Sequence, residues 1–505
     1  MGATVMDDGR AGTLLGHPKG LFILFFAEMW ERFSYYGMRA LLVLYLTKHF
    51  LMSDQESGFI YGAYTSLVYI TPVIGGYLAD HYLGQRKAVL FGGIMIAIGH
   101  LLLGIEGGGG QDAFALNAFW TALAFIIVGT GFLKANISAI VGQLYPRNDV
   151  RRDPAYTIFY MGINLGGMLG PIACGILGET VGWSYGFGAA AVGMLLGIVV
   201  FVIGKPLLLG RGESAHPEKL TAKVAGPVSV EWLIYGGSVL SVLVVAWLVG
   251  NHDAVGVLLL VCGGVATAYL LWEAFGRMEK IDRDRMLAAL FLLALNPVFW
   301  GLFEQAGSSI NLFTDRHVDR HIFGWEVPAS VFQSVNSMFI ILFAPMFAAL
   351  WVWLGKRGSE PSTPAKFGLA LVQVGLGFLA LVWGAQWAGL ENATPVFFIF
   401  LIYALHTTGE LCLSPVGLSA MSKLALPRMI SIMMGVWFLA TAAGDFIAGL
   451  IAANIGAKSA SSADPVLATL DVYSSVGWFG IGVGAIVLIV SPVVKRLMHL
   501  DKLSD

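Results

Sequence analysis

The stretch from residue 21 to residue 47 reads LFILFFAEMWERFSYYGMRALLVLYLT. A helix needs about 20 mostly apolar residues to cross a bilayer, so this stretch is long enough to span one. Its middle nevertheless carries four charged side chains, Glu28, Glu31, Arg32 and Arg39. It has no small-residue cleavage site behind a short apolar segment. We therefore interpret it as a retained membrane helix and not as a cleaved signal peptide.

The rest of the chain has the same apolar character. Of the 505 residues, 57% are hydrophobic and 12% are charged, whereas a soluble domain carries about twice this charged fraction. The net charge of -2 gives no indication of a nucleic-acid partner, and none is expected. Cys174, Cys262 and Cys412 lie in separate apolar stretches, which fits buried small side chains and neither a disulfide framework nor a metal site.

Polar, charged and Gly/Pro-rich breaks divide the chain into about 14 transmembrane helices, so the expected fold class is an all-α integral membrane protein. The predicted helices cover residues 19–49, 56–80, 87–106, 112–145, 154–178, 184–205, 229–250, 253–274, 284–313, 327–355, 366–388, 395–424, 428–454 and 472–497.

Lysine and arginine residues are concentrated in alternate loops and in the C-terminal tail. Cytoplasmic loops of membrane proteins are enriched in these residues, so we assign these segments to the cytoplasm. The opposite loops hold only Lys48, Arg316, Arg320 and Lys458. Both termini are then cytoplasmic, and the number of helices is even.

The helix pair at about 229–274 is interpreted as an inserted hairpin, which leaves six helices on either side. Two six-helix halves around a central path are typical of many secondary transporters. We expect an N-terminal six-helix bundle at 1–206, a linker with the inserted pair at 207–283, and a C-terminal six-helix bundle at 284–505. The segment GYLADHYLGQRK at 76–87 resembles the signature loop of the major facilitator superfamily.

Three basic residues, Arg32, Arg39 and Lys134, remain at membrane depth once the loops and the tail are removed. Each costs about 2.5–3.5 kcal/mol near a helix centre, so each needs a partner. The acids at similar depth are Glu28, Glu31, Glu304, Glu410 and Asp445. Five acids against three bases leave two acids in excess. Because a buried carboxylate without a partner prefers to hold a proton, this excess predicts a proton carrier.

The charges of the first helix form one polar stripe. Glu28, Arg32, Tyr35 or Tyr36, and Arg39 fall on one face at helical spacing. Such a stripe should face a water-filled cavity or the other half of the protein. The alternative is that Glu28 and Arg32 only tie the helix to its neighbours.

Two pairs of opposite charges occupy equivalent helices of the two halves. Arg39 and Glu304 lie on the first and seventh helices of the twelve-helix core, and Lys134 and Glu410 lie on the fourth and tenth. We predict that these pairs form salt bridges that open and close the cavity. The alternative is static pairing, since buried ion pairs contribute little net stability.

Four motifs, in order along the chain, resemble those of the proton-dependent oligopeptide transporter family. ExxERFxYYG at 28–37 and FYxxINxG at 159–166 resemble its first-helix and fifth-helix signatures. FWxxFEQ at 299–305 and GELxxSPxG at 409–417 are similar to its seventh and tenth helices. The resemblance covers essentially the whole chain. It implies the major facilitator superfamily fold of bacterial members, with two six-helix bundles plus two inserted helices, in a bacterial cytoplasmic membrane.

The resemblance also implies roles for individual side chains. Arg39 and Lys134 would bind the peptide carboxylate, and Asn164, Asn336 and Glu410 would bind its amino terminus. Hydroxyl groups would come from Tyr35, Tyr36 and Tyr69. Trp300 and Trp437 would line side-chain pockets. Proton coupling would involve Glu28, Glu31, Arg32, Lys134 and Glu410. The coupling ion is a proton, and no other cofactor is expected. A dipeptide is a zwitterion of nearly fixed length, so bases on one wall and an acid on the other recognise its ends whatever its side chains.

Two positions depart from the family pattern. Gly62, seven residues before Tyr69, stands where animal members carry a histidine, and Asp445 stands where we expect a neutral polar residue. The lone residues His100 and His406 are expected to have packing roles.

The resulting hypothesis is a monomeric symporter that imports di- and tripeptides with protons by alternating access. Its partners would be these peptides and the lipid bilayer. Within transport, a symporter of nitrate or another anion is the alternative, although the ExxER cluster and Glu410 argue against it. A channel is possible from hydropathy alone. A membrane-embedded enzyme is not expected, because the sequence holds no HExxH or CxxC motif.

Overall fold

The computed structural model describes residues 12–110, 112–146 and 149–500. Within these ranges the chain forms 16 α-helices. They are α1 (Lys19–Lys48), α2 (Asp54–Leu78), α3 (Gln85–Leu103), α4 (Ala113–Gln143), α5 (Arg152–Thr180), α6 (Trp183–Ile203), α7 (Pro217–Thr221), α8 (Val230–Val249), α9 (His252–Gly276), α10 (Lys280–Phe303), α11 (Ser309–His317), α12 (Ser334–Lys356), α13 (Thr363–Ala388), α14 (Phe397–Leu424), α15 (Ile430–Ser461) and α16 (Pro465–Leu497).

Shorter elements connect the helices. Eight short strands are β1 (Thr13–Leu14), β2 (His17–Pro18), β3 (Lys223–Ala225), β4 (Val228–Ser229), β5 (Val318–Asp319), β6 (His321–Ile322), β7 (Trp325–Glu326) and β8 (Thr394–Pro395). The pairs β1–β2, β3–β4 and β6–β7 are antiparallel, and β5–β8 is parallel. The 3-10 turns are Lys205–Leu208, Glu304–Gly307, Ala329–Gln333 and Pro427–Met429, and Ala79–Leu83 is a π-helical turn.

The number of membrane-spanning helices agrees with the sequence. Among the described residues, 12 helical segments are long and apolar enough to cross a membrane. The first of these segments is α3, and the last is α16. The helices α10 and α11 count together as one segment. The helices α1 and α2 are 30 and 25 residues long, but they are more polar than these 12. Together they give the 14 spans that the sequence predicts.

The described residues pack as two compact units. Unit 1 comprises residues within 1–38, 71–108 and 112–247, and unit 2 comprises residues within 39–70, 109–111 and 248–505. Both α1 and α2 are therefore divided between the units, because their halves have different neighbours. The domain boundaries predicted from the sequence stay a prediction.

In unit 1, α1 and α5 approach closely because glycines replace side chains at their contact. Gly162, Gly166 and Gly170 follow one another every four residues on α5, so they share one face. A methyl group on Gly166 would collide with the carbonyl oxygen of Met29, and one on Gly170 with that of Phe33. Small residues allow this close approach between membrane helices. As a result, α5 holds the charged part of α1 in place.

We expect the substitution Gly166→Leu to lower the melting temperature of the purified protein by several degrees. Its side chain would collide with backbone, and overpacking a tight contact costs about 1–3 kcal/mol. Gly263→Leu in α9 is the matched control, because nothing lies within 4 Å of a Cβ atom added there. Thermal unfolding followed by tryptophan fluorescence measures both. Equal losses in the two variants would contradict the close contact.

The loop after α2 carries a backbone turn that requires glycine. The π-helical turn Ala79–Leu83 ends at Gly84, whose φ of +77° is rarely adopted by other residues. The Arg86 backbone N–H donates to Gly212 O at 2.8 Å, and Arg86 Nη2 donates to Glu213 Oε2 at 3.2 Å. This hydrogen bond holds the pKa of Glu213 below its ordinary value. The polar linker is therefore attached to the loop by a charged pair.

In unit 2, α10 packs against α13, α14, α15 and α16. The sequence predicts a spanning helix at 284–313, and the structure has one span there, Lys280–His317, which a short turn interrupts. The chain leaves the α-helix at the 3-10 turn Glu304–Gly307 and resumes as α11. A methyl group on Gly307 would collide with the Tyr61 hydroxyl, so the broken turn makes room for that side chain. The break places Glu304 at the end of α10.

The inserted helix α8 is attached to unit 1 at its N-terminal end. Lys87 Nζ and Glu231 Oε1 are 2.6 Å apart, and the rings of Phe91 and Tyr235 have centroids 4.7 Å apart. The outward faces of α8 carry large apolar side chains, such as the 69% exposed Trp232. Such faces are suited to contact lipid.

The second inserted helix, α9, is attached to unit 2 at both ends. At its start, the ring of His252 stacks on Phe59 with centroids 3.8 Å apart. Near its end, Glu273 is 3% exposed and pairs with Arg277 at 3.2 Å and with Arg428 at 2.9 Å. Each helix of the inserted pair therefore has its own ionic anchor.

Candidate functional site

Three charged residues on α1 form a buried group in unit 1, which we call the acid–arginine cluster. Glu28, Glu31 and Arg32 are 3%, 0% and 3% exposed. Arg32 Nε lies 3.2 Å from Glu28 Oε1 and also donates to Glu31 Oε2. One guanidinium thus holds two carboxylates at membrane depth. The Arg32 guanidinium also lies over the Tyr35 ring at 5.2 Å from its centroid.

Two further predicted site residues, Lys134 and Asn164, lie in unit 1. Lys134 on α4 is partly buried and interacts electrostatically with Glu28. Asn164 on α5 is 5% exposed, and its side-chain Nδ2 donates to Tyr160 O at 3.0 Å. Tyr36 is partly buried and its ring meets that of Tyr35 edge-on at 5.2 Å. Six of the residues that the sequence singles out, Glu28, Glu31, Arg32, Tyr35, Tyr36 and Lys134, therefore lie on α1 and α4 of this unit.

The first predicted salt bridge is present within unit 2. Arg39 Nη1 lies 3.0 Å from Glu304 Oε2 and 3.3 Å from Glu304 Oε1, with side-chain exposures of 12% and 6%. The Tyr61 hydroxyl donates to the same carboxylate at 3.1 Å. Glu304 can be reached by both groups because α10 breaks there. Tyr61 was not predicted from the sequence.

Glu410 lies in the middle of α14, within electrostatic range of this pair. Asn336 Nδ2 donates to Glu410 Oε2 at 3.0 Å and to Thr407 Oγ1 at 3.0 Å. Glu410 also interacts electrostatically with Glu304 and Arg39. The first turn of α12 and the middle of α14 thus place an amide and a carboxylate in contact, within electrostatic range of Arg39. This combination can bind both a cationic and an anionic group of one small solute.

The predicted aromatic residues of unit 2 differ in exposure. Trp300 is partly buried, and its indole N–H has no acceptor among the described residues. Trp437 is 3% exposed and packs on Gly417, where a methyl group would collide with its ring. Tyr69 on α2 is partly buried. A free indole N–H suits a solute contact, whereas Trp437 is enclosed by protein.

Two further ion pairs hold the unit 2 parts of α1 and α2 to α11. Lys48 Nζ lies 2.6 Å from Asp315 Oδ1. Arg316 makes a bidentate pair with Asp54, at 2.6 and 2.8 Å. The sequence places these residues in loops but does not pair them. Asp54 precedes the predicted helix at 56–80 and could have been recognised as an acid at the same membrane surface as Arg316.

Some predicted relations are not established by these contacts. Lys134 belongs to unit 1 and Glu410 to unit 2, so their salt bridge stays a prediction. Asp445 on α15 is 1% exposed. Within the described ranges, no group of three or more His, Cys, Asp or Glu side chains is arranged to hold a metal ion.

Comparison with known proteins identifies relatives over the full length of the chain. The POT family profile matches residues 86–466. The chain is 38% identical to the uncharacterized transporter YclF of Bacillus subtilis, over 96% of this chain and 95% of the relative. It is 35% identical to the peptide transporter YePEPT of Yersinia enterocolitica, over 96% of each. It is 31% identical to dipeptide and tripeptide permease B of Xenorhabdus bovienii, over 96% of this chain and 97% of the permease.

A solved structure has the same fold. A mutant of the peptide transporter POT, crystallised with alafosfalin, superimposes with a TM-score of 0.82 at 35% identity and covers 97% of both chains. The helix count, the broken α10 and the charged helix α1 thus occur in a chain whose relatives include a peptide transporter and a dipeptide and tripeptide permease. The protein is a membrane-spanning member of the POT family of peptide transporters.

Proposed function

We propose that this protein imports di- and tripeptides together with protons by alternating access, at the cytoplasmic membrane of a bacterium. The observation that carries the proposal is that Arg39, Glu304, Glu410 and Asn336 form one partly buried polar group of unit 2. A short peptide carries one carboxylate and one ammonium group, so it can exchange with the partners of such a group. Two of the relatives are named for the transport of peptides.

Recognition of the peptide would begin with its charged ends. The Arg39 guanidinium would accept the peptide carboxylate, together with Lys134, and Glu410 would accept the peptide ammonium beside the Asn336 and Asn164 amides. Tyr35, Tyr36 and Tyr69 would contribute hydroxyl groups. Because these contacts involve only backbone termini, they support broad specificity for side chains. The free indole N–H of Trp300 supports a polar contact in a side-chain pocket.

Proton coupling would use the acid–arginine cluster. Two carboxylates share one guanidinium there, so a proton on either acid changes the pairing of the other. Lys134 interacts with the same cluster and is also proposed to bind peptide, which would link the two events. Glu410, which lies outside this cluster, would take part as a further titrating acid.

Access from one side would require three ion pairs of the segment from Glu304 to Arg316 to break. Lys48–Asp315, Asp54–Arg316 and Arg39–Glu304 all join parts of α1 or α2 to the segment from Glu304 to Arg316. According to the distribution of lysine and arginine, this segment faces the outside. We propose that these pairs form when the outer path is closed and part when it opens.

The function is tested by uptake of labelled dialanine into proteoliposomes. Acid outside and neutral buffer inside should drive accumulation, and a protonophore should abolish it. Unlabelled trialanine should compete, whereas nitrate should not. In the Lys134→Ala variant, gradient-driven uptake should fall to the background of empty vesicles, because both the peptide carboxylate and the cluster lose a charge partner. Undiminished gradient-driven uptake in this variant would reject the coupling scheme.

A further inference from the structure

A groove of about 380 Å³ lies between α10, α15 and α16 of unit 2. Val298 and Leu302 of α10 form its floor. Ile451 of α15, with Val476 and Phe479 of α16, forms its walls, and Phe479 is 55% exposed. The groove is therefore apolar along most of its length and opens on the surface of the spanning helices.

The groove becomes polar toward one end. On α15 its lining residues are Ile447, Ile451, Asn454 and Lys458, which share one helix face. At 1.5 Å per residue, Lys458 lies about 16 Å along the axis from Ile447. Lys458 is in the last turn of α15, next to the connection to α16, so it stands where the helix reaches the membrane surface.

The polar end has unused binding groups. Lys458 and Asn454 are exposed, and neither side chain makes an ion pair or hydrogen bond with another described residue. The Ser475 hydroxyl lines the same groove and donates to the backbone of Asp471. A cation and an amide thus lie at the polar end of the groove.

A second cavity in unit 1 provides a comparison. It lies between α2, α4 and α8 and has a similar volume of about 390 Å³. Its lining includes glycine and serine positions such as Gly237 and Ser241, but no charged residue. The two cavities are similar in volume, and only the groove of unit 2 is lined by a cation.

Water is a poor occupant of either space. The groove exceeds the liquid volume of one water, about 30 Å³, more than tenfold, and its apolar walls offer few hydrogen-bonding partners. An acyl chain of the bilayer fits such walls. A chain that lies in the groove brings the lipid headgroup to Lys458, and phosphate is an anion that lysine binds well.

We propose that the groove between α10, α15 and α16 is a binding site for one phospholipid of the surrounding bilayer. One acyl chain lies between Val298, Ile451 and Phe479. The phosphate diester is bound by the Lys458 ammonium, with the Asn454 amide as a second donor. The site is separate from the peptide-binding residues and does not depend on the proposed transport function.

The test uses the full chain in lipid nanodiscs with two photoactivatable probes. One is phosphatidylglycerol with a diazirine in the middle of an acyl chain, and the other is diacylglycerol with the same chain and no phosphate. Mass spectrometry of the labelled peptides locates each probe. Phosphatidylglycerol should label α15 and α16 around Ile451 and Val476 more strongly than diacylglycerol does. The α8 cavity should show no such preference.

Variants separate the headgroup contact from the chain contact. Lys458→Ala should lower phosphatidylglycerol labelling of the groove about fivefold and leave diacylglycerol labelling unchanged. Lys356→Ala is the matched control, because Lys356 is an exposed lysine in the last turn of another spanning helix, α12. It should change neither. Val476→Trp should fill the groove and lower the labelling by both probes. If the Val476→Trp variant does not fold, Ser475→Leu at an exposed position of the same groove replaces it.

Three results would overturn the proposal. The first is equal labelling of the groove by both probes in the parent chain. The second is unchanged phosphatidylglycerol labelling in Lys458→Ala. The third is protection of the groove by a second copy of the chain, seen as chain-to-chain cross-links there.

Discussion

When Glu28 is replaced by glutamine, the rate of proton-driven dialanine uptake is expected to fall by about two orders of magnitude. Glutamine keeps the shape of the side chain but cannot exchange a proton. In the structure Glu28 lies 3.2 Å from Arg32 and interacts with Lys134, so its charge state affects both neighbours. Exchange of peptide across the membrane without a gradient should continue, because it needs no net proton movement. Uptake and exchange of labelled dialanine in proteoliposomes measure the two activities.

The control for Glu28 is a carboxylate in a comparable environment elsewhere. Glu273 is also 3% exposed and also pairs with arginine, at the end of α9. Glu273→Gln should therefore retain proton-driven uptake, whatever it costs in stability. If both variants lose uptake equally, or if Glu28→Gln loses exchange as well, Glu28 has a structural role and the coupling proposal fails.

Variants of the Arg39–Glu304 pair should separate its effect on stability from its effect on transport. Glu304→Leu leaves the Arg39 guanidinium buried without its carboxylate, and breaking a buried pair in this way costs about 3–5 kcal/mol. The melting temperature should fall clearly. The double variant Arg39→Leu with Glu304→Leu replaces both charges by apolar groups and should recover most of that loss. Uptake should remain absent in the double variant, because the peptide carboxylate has lost its arginine.

An exposed pair of the same region is the reference for this comparison. Lys48 is 42% exposed in its pair with Asp315, so Lys48→Ala should cost no more than about 1 kcal/mol. Thermal unfolding measures the three variants side by side. A stable Glu304→Leu protein would show that the buried pair is not needed for the fold. Uptake by the double variant would exclude Arg39 as the carboxylate-binding residue.

The helices and the charged residues could be predicted from the sequence for one physical reason. Long apolar runs must span the bilayer, and a charge inside them is costly, so it stands out against its surroundings. The pairing of Arg39 with Glu304 followed from the equivalence of the two halves. The break at Glu304–Gly307 did not, because no proline lies within the turn, and Glu304, Gln305 and Gly307 can also stand inside a helix.

The contacts that hold Glu304 were harder to predict. Tyr61 reaches Glu304 across 243 positions of sequence, and hydropathy does not report such pairing. A signal was nevertheless present. Tyr61 lies between Gly58 and Gly62, and in the structure both glycines touch the backbone of α15. Two glycines four residues apart mark a helix face in close contact, and Tyr61 shares that face.

The balance of charge around α1 has an electrical consequence. With both acids ionised, Glu28 and Glu31 offset Arg32 and Lys134, so this group is neutral before it binds a proton. Under the proposed mechanism, a loaded carrier therefore moves one positive charge even when the peptide itself is neutral overall. Each elementary charge gains about 2.3 kcal/mol per 100 mV. Membrane voltage, together with acidity, would then set how steeply the cell can concentrate its peptides.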